Sequence, residues 1–211
     1  LLATIIIGMG AAFTVSSGID VNLTADISAT ASNMLDSEIQ LRAKAYIGGL
    51  LFILQAVIIA GLFLLLRAYG PMLAGVSALV GFSGAILSLL GAVFALNAAE
   101  IASHAAYMDM PDETLRLAFA GLQATYDYTS FHLGLVLSTV SNAGFFVLFF
   151  TSRTLPRPIS GWGIFASLFV VIMIVGRDFI PALVGNFDLV SARAGDDNRP
   201  NAAADKMTRR M

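Results

Sequence analysis

Cysteine is absent from these 211 residues, which removes disulfides, thiolate nucleophiles, iron–sulfur clusters and zinc–thiolate sites together. Charge is nearly as scarce. Asp, Glu, Lys and Arg make up 12% of the chain, where ordinary soluble domains run at about a quarter. A net charge of −2 offers no footprint for nucleic acid. Histidine occurs only as His104 and His132. There is no P-loop, nucleophile elbow or His-Glu-x-x-His helix. The apolar runs hold no paired carboxylates, which weighs against a proton-coupled transporter. These absences predict a protein that is not an enzyme, with no metal site.

What the chain has instead is apolar length. Hydrophobic residues make up 57% of it, and its mean hydropathy is +0.82. Five runs stand out: Leu1–Val15, Tyr46–Leu66, Met72–Leu96, Ser130–Thr151 and Ile159–Ile180. A hydrocarbon core of ~30 Å is crossed by about 20 helical residues, and the last four runs each supply them. Leu1–Val15 is read as a retained first span, since no small-residue cleavage site follows it cleanly. The expected fold is all-α: an integral membrane bundle of about five transmembrane helices over residues 1–186, with a polar tail over 187–211. The tail, clearest in Ala192–Met211, has no core to join.

The connections divide by charge. Asp26–Lys44 has helix-forming composition, with Ser28 or Thr30 as caps and Met34, Leu35 and Ile39 along one side. It reads as an external amphipathic helix lying in the interface and running into the second span. Arg67-Ala68-Tyr69-Gly70-Pro71 and Ser152–Pro158 are short turns, basic and without an acid. The loops on the other side carry Asp20, Asp26, Asp36, Glu38, Glu100, Asp109, Asp112, Glu113 and Asp127. The positive-inside rule therefore puts the turns at Arg67 and Arg153/Arg157 in the cytoplasm of a bacterial inner membrane and the long loops outside. Trp162, Tyr46, Tyr126 and Tyr128 fall at the expected interfaces, and Arg177-Asp178 closes the last span. Asn22-Leu23-Thr24 matches a glycosylation acceptor.

Helices in lipid gain little from apolarity against each other, so close backbone approach decides where they meet. Ser77, Gly81, Gly84, Ser88, Gly91 and Ala95 make a seam along one face of the third span, and Ser130, Gly134, Ser138 and Ser141 answer on the fourth. Packing of an antiparallel hairpin is the default reading; the sharper one is a groove for a flat cofactor ring. Gln55 and Asn142 fall near mid-membrane, so each is expected to face the bundle and bond the other.

The two histidines suggest bis-histidine ligation of a b-type haem, but helix geometry opposes it. Counted from the break near Met110, their heights differ by roughly 24 Å. Single ligation of haem b or a chlorin by His132 stays open, with His104 the weaker candidate and an ordinary hydrogen-bonded interfacial histidine the default. Glu100 and His104 lie one turn apart and would need a further acid such as Asp127 to hold a metal; a solvated helix face is the simpler reading. No cofactor is predicted.

Two stretches are familiar. Ala29-Thr30-Ala31-Ser32-Asn33-Met34-Leu35-Asp36-Ser37-Glu38, followed by Arg42 and an apolar span, resembles the first external loop of the bacterial domain-of-unknown-function family 4386. So does Phe131-His132-Leu133-Gly134-Leu135, leading to Ser152-Arg153-Thr154-Leu155-Pro156-Arg157-Pro158-Ile159-Ser160-Gly161. The likeness covers roughly Asp26–Leu183. It implies a multi-span inner-membrane protein and no activity, and such proteins often carry histidine at the position of His132. Here a polar tail stands where a sixth span commonly follows.

The functional expectation is a non-catalytic accessory subunit whose partners are the lipid bilayer and the subunits of a larger membrane complex, photosynthetic or respiratory. The alternatives are a haem- or pigment-binding electron-transfer protein using His132, and a small-molecule transporter or sensor built around Gln55 and Asn142.

Overall fold

The computed structural model describes residues 27–109 and 112–179. The expected span Leu1–Val15, the acceptor at Asn22 and the polar tail lie outside the described residues. Among the described residues six helices follow in order: α1 Ile27–Leu35, α2 Glu38–Leu66, α3 Pro71–Ser103, α4 Ala105–Met108, α5 Glu113–Ser152 and α6 Arg157–Phe179. No strand occurs among the described residues. The described residues up to Val171 belong to one compact unit, and the closing turns of α6, Ile172–Phe179, fall in a second.

Helices α2, α3, α5 and, over Arg157–Gly176, α6 are long and apolar enough to cross a membrane. Three are longer than a bilayer requires. With 29, 33 and 40 residues, α2, α3 and α5 run about 44, 50 and 60 Å at 1.5 Å per residue, against a hydrocarbon layer of ~30 Å. They are level at the α2–α3 and α5–α6 turns, which define the inner end of the bundle as a label of the fold alone; at the opposite, outer end each helix runs on beyond what a ~30 Å layer requires. Glu113–Thr125 and the fourth span are thus one uninterrupted rod, with no re-entrant kink.

Both inner turns are short for local reasons. At the first, Arg67 N–H still donates to Phe63 O at 2.9 Å, Tyr69 N–H donates to Leu66 O at 3.0 Å, and Pro71 opens α3, where its missing N–H costs nothing. A Cβ on Gly70 would lie 2.8 Å from Leu148 Cδ2, so this turn rests on the last turns of α5. At the second, Arg153 ends α5 in the left-handed region with φ 58° and ψ 21°, a position glycine or asparagine ordinarily takes.

The amphipathic segment differs from expectation. It breaks at Asp36-Ser37 instead of running unbroken into the second span, and Ser28 falls inside α1 instead of capping it. Its apolar face is spent on protein, not lipid. Met34 is buried with Leu41, Ala95, Ala98, Ala99 and Ala124, and Ala31 with Ile101 and Ala120. Alanines on α3 and α5 leave a shallow trough, and α1 fills it. Ile39, expected on the same side, is exposed.

Towards the inner turns, α2, α3 and α5 share a core of Ile59, Leu66, Ala74, Ala78, Phe145 and Leu148. The α3–α5 contact is closer still. Ser141 Oγ donates to Ser77 O at 2.7 Å. A Cβ on Gly84 would lie 2.8 Å from Gly134 O and 2.9 Å from Ser138 N, and one on Gly134 would lie 2.9 Å from Gly84 O. The two backbones meet where both lack side chains.

Candidate functional site at the outer end of the bundle

The bundle's polar groups gather in two levels, both set by the register of α2 against α5. The pairs Lys44–Asp127 and Gln55–Ser138 share a sequence offset of 83 residues, as two parallel helices in constant register require. Lys44 lies about 22 residues, or ~33 Å, from the inner end of α2, at the outer edge of the hydrocarbon. Gln55 lies about half as far, at mid-membrane.

At the outer level Lys44 Nζ donates to Asp127 Oδ2. Their side chains keep 22% and 10% of their surface, so this pair is largely withdrawn from water, where losing one partner leaves the other uncompensated. Asp127 fits between the helices because Gly91 has no side chain: a Cβ there would lie 2.8 Å from Asp127 Oδ1. Two residues outward on α2, Arg42 reaches in two directions. Its Nε donates to Glu38 Oε1 at 2.9 Å and its Nη1 to Glu100 Oε1 at 2.8 Å, while Nη2 donates to Ser103 Oγ at 3.2 Å. The first pair spans one turn of α2; the second ties α2 to α3. Farther out, Asp112 caps α5 by accepting from the Thr114 amide at 3.0 Å. The Thr114 hydroxyl and amide hold its carboxyl below the ordinary value.

At the inner level Gln55 Nε2 donates to Ser138 Oγ at 3.3 Å. The expected Gln55–Asn142 bond is absent: Asn142 is exposed on another face of α5. The reason is rotational. Residues 138 and 142 are one turn apart, some 40° around the helix, and the bundle closes on Ser138 and Ser141, leaving Asn142 outside.

Each histidine serves its own helix. His132 Nδ1 lies 2.9 Å from Tyr128 O; a carbonyl only accepts, so Nδ1 is the donor in this bond. The ring sits 3.9 Å from that of Tyr128 and edge-on to Phe131. His104 is exposed and caps the short α4, its Nδ1 accepting from Ala106 N–H at 3.2 Å. The antiparallel register of α3 and α5 sets His104 beside the first turns of α5, about 18 residues or ~27 Å above His132. One iron cannot take both. Glu100 bonds Arg42, not His104, and no group of three or more His, Cys, Asp or Glu able to hold a metal occurs among the described residues.

The small-residue seam divides. Ser77, Gly81, Gly84 and Gly91 on α3 and Gly134 and Ser141 on α5 are buried, and Ser138 is half-buried. Ser88 is more exposed, its Oγ donating to Gly84 O at 3.1 Å, yet it too lies on the seam: a Cβ on Gly134 would meet that Oγ at 2.8 Å. Sequence reasoning missed a further seam, Ser160, Gly163 and Ser167 on α6, all buried; a Cβ on Gly163 would meet the ring of Phe146 at 2.5 Å. The 3-4 spacing that marks such seams was there to be read. The Lys44–Asp127 pair was missed for another reason, that nothing local in sequence joins residues so far apart.

The family described as a domain of unknown function (DUF4386) matches residues 1–194. No curated protein and no solved structure matches the chain. The chain belongs to the DUF4386 family.

Proposed function

We propose that this DUF4386 member is a non-catalytic accessory subunit that packs against, and steadies, a larger complex of the bacterial inner membrane. A photosynthetic or respiratory assembly is the natural host. The observation that carries the reading is a pair of exposed apolar stripes. On α2, Tyr46, Leu50, Ile53, Val57, Ala60 and Leu64 are exposed at alternating steps of four and three residues. On α3, Val76, Leu79, Ile86, Leu90 and Val93 keep the same rhythm, with half-buried Ser83 filling the gap. Seven-residue repeats of this kind are the seams along which helices pair. The three ion pairs of the outer end, by contrast, close within the bundle: Lys44 with Asp127, and Arg42 with Glu38 and Glu100. A fold that leaves ridged apolar flanks of this kind is suited to contact. The inner turns at Arg67 and Arg153/Arg157 would face the cytoplasm.

Extraction in a mild detergent tests this reading. A stoichiometric particle larger than the chain supports it; a lone 22.2 kDa species overturns it.

One observation favours a second reading. Metal-bound histidines ordinarily donate their other ring nitrogen to a carbonyl or carboxylate, and His132 does so to Tyr128 O, freeing Nε2 for a haem or chlorin. Visible absorbance of the purified protein, compared with His132→Ala, decides it: a colourless wild type ends that reading.

A further inference from the structure

Among the described residues, the inner end of the bundle carries basic side chains that no acidic side chain pairs. Arg67, Arg153 and Arg157 lie on the two turns at that end and are all exposed. No Asp or Glu occurs between Glu38 and Glu100 or between Asp127 and Asp178, so the stretches that build this end hold no acid. All three ion pairs among the described residues lie at the other end of the helices. The contact of Gly70 with Leu148 brings the Arg67 turn against the end of α5 that leads to Arg153. Arg157 lies with its guanidinium 5.7 Å from the centre of the Phe150 ring. Exposed Tyr69, Met72, Ile159 and Trp162 surround these cations, and tyrosine and tryptophan favour the depth where acyl chain gives way to headgroup.

Arg153 adds a conformational observation. It alone among the described non-glycine residues has positive φ, at 58°, where the backbone favours glycine. The chain keeps a guanidinium there against that preference. Part of the explanation is internal, because Arg67 and Arg153 also stand at the C-termini of α2 and α5, where a cation offsets the helix dipole. That effect needs no partner. It leaves unexplained Arg157, which opens α6 and so sits at the positive end of its helix.

We propose that this end of the bundle is a headgroup site for an anionic phospholipid, with Arg67, Arg153 and Arg157 taking the phosphate and Tyr69 and Trp162 flanking the glycerol. The site lies apart from the apolar flanks and does not depend on the accessory role. Basic residues at the ends of membrane helices draw anionic headgroups, at about 1 kcal/mol each, which is about fivefold in affinity per arginine.

The test uses the full chain in an uncharged detergent, titrated with phosphatidylglycerol or with phosphatidylcholine of the same acyl chains. Retained lipid is read by native mass spectrometry and stability by thermal unfolding. The phosphatidylglycerol complex is expected to survive preferentially and to raise the unfolding temperature, and 0.5 M salt to weaken both effects. Arg157→Gln should weaken phosphatidylglycerol binding about fivefold. Arg153→Gly is the decisive variant. Glycine relieves the left-handed backbone, so the protein in phosphatidylcholine stays folded while its preference for phosphatidylglycerol falls by the same factor. Equal responses to the two lipids overturn the proposal, as does a full wild-type response in both variants. So does an identical shift from free glycerophosphate, which would identify a soluble anion as the ligand.

Discussion

Replacing Gly84 with alanine adds a single methyl group to α3, yet the structure leaves it nowhere to go. Its Cβ would lie 2.6 Å from Ser138 Oγ, 2.8 Å from Gly134 O and 2.9 Å from Ser138 N. The hydroxyl can turn away; the two backbone atoms cannot. Restoring ordinary contact requires α3 and α5 to part by about half an ångström, which loosens the Ser141–Ser77 bond and the contacts on either side. Overpacking of this kind costs about 1–3 kcal/mol. Alanine also gains up to about 1 kcal/mol of helix propensity over glycine, so the bare change in stability would understate the clash. Gly75→Ala supplies the correction: it lies on the same helix and meets nothing within 4 Å. The propensity gain is common to both variants, and their difference isolates the contact. Reversible unfolding in mixed micelles should place Gly84→Ala about 1–3 kcal/mol below Gly75→Ala. Gly91→Ala should fall between them, because the atom its Cβ meets closely is the side-chain Oδ1 of Asp127 and not backbone. Stabilities of Gly84→Ala and Gly75→Ala within about 0.5 kcal/mol, inside the usual range for innocuous surface changes, would refute the seam.

Other expectations follow from the polar levels. Lys44→Met leaves Asp127 without its cation and should cost about 2 kcal/mol, less than the ~3–5 kcal/mol of a fully buried pair because Lys44 keeps some exposure; Lys44→Met/Asp127→Leu should recover most of the loss, measured by the same unfolding assay. Gln55→Leu removes one long hydrogen bond and should cost under about 1 kcal/mol, the scale of side-chain bonds between membrane helices. For Asp112, whose folded-state value is depressed, the cap contributes fully above the ordinary carboxylate range and is lost as pH falls through the folded value. Amide protection in the first turn of α5 should therefore drop on acidification in the wild type and be insensitive to that pH range in Asp112→Asn.

The last four spans were legible in sequence because hydropathy is local: about twenty apolar residues announce a bilayer wherever they fold. Hydropathy reports depth in the membrane, however, and not helix length. It could show Tyr46 entering the apolar layer but not that α2 begins at Glu38, or that α5 extends seventeen residues above Ser130. The α3–α5 seam was legible for a similar reason, since small residues at three- and four-residue steps share a face by helix geometry alone. What joins distant segments was hidden. An apolar face such as that of Ala31 and Met34 looks the same whether it meets lipid or the alanine trough on α3 and α5. Lys44–Asp127 and Gln55–Ser138 depend on the offset between α2 and α5, which follows from how the helices fit and not from either sequence. Asn142 shows the converse. Its depth was read from the sequence, while its direction depended on which face of α5 the bundle closes upon.

The claim that the flanks of α2 and α3 meet another protein is tested most directly in intact membranes. A photo-crosslinking amino acid in place of Ile53 or Leu79, both exposed, should yield a discrete protein adduct of reproducible mass, and one in place of buried Ala85 should not. Adducts to lipid alone at Ile53 and Leu79 would contradict the accessory role.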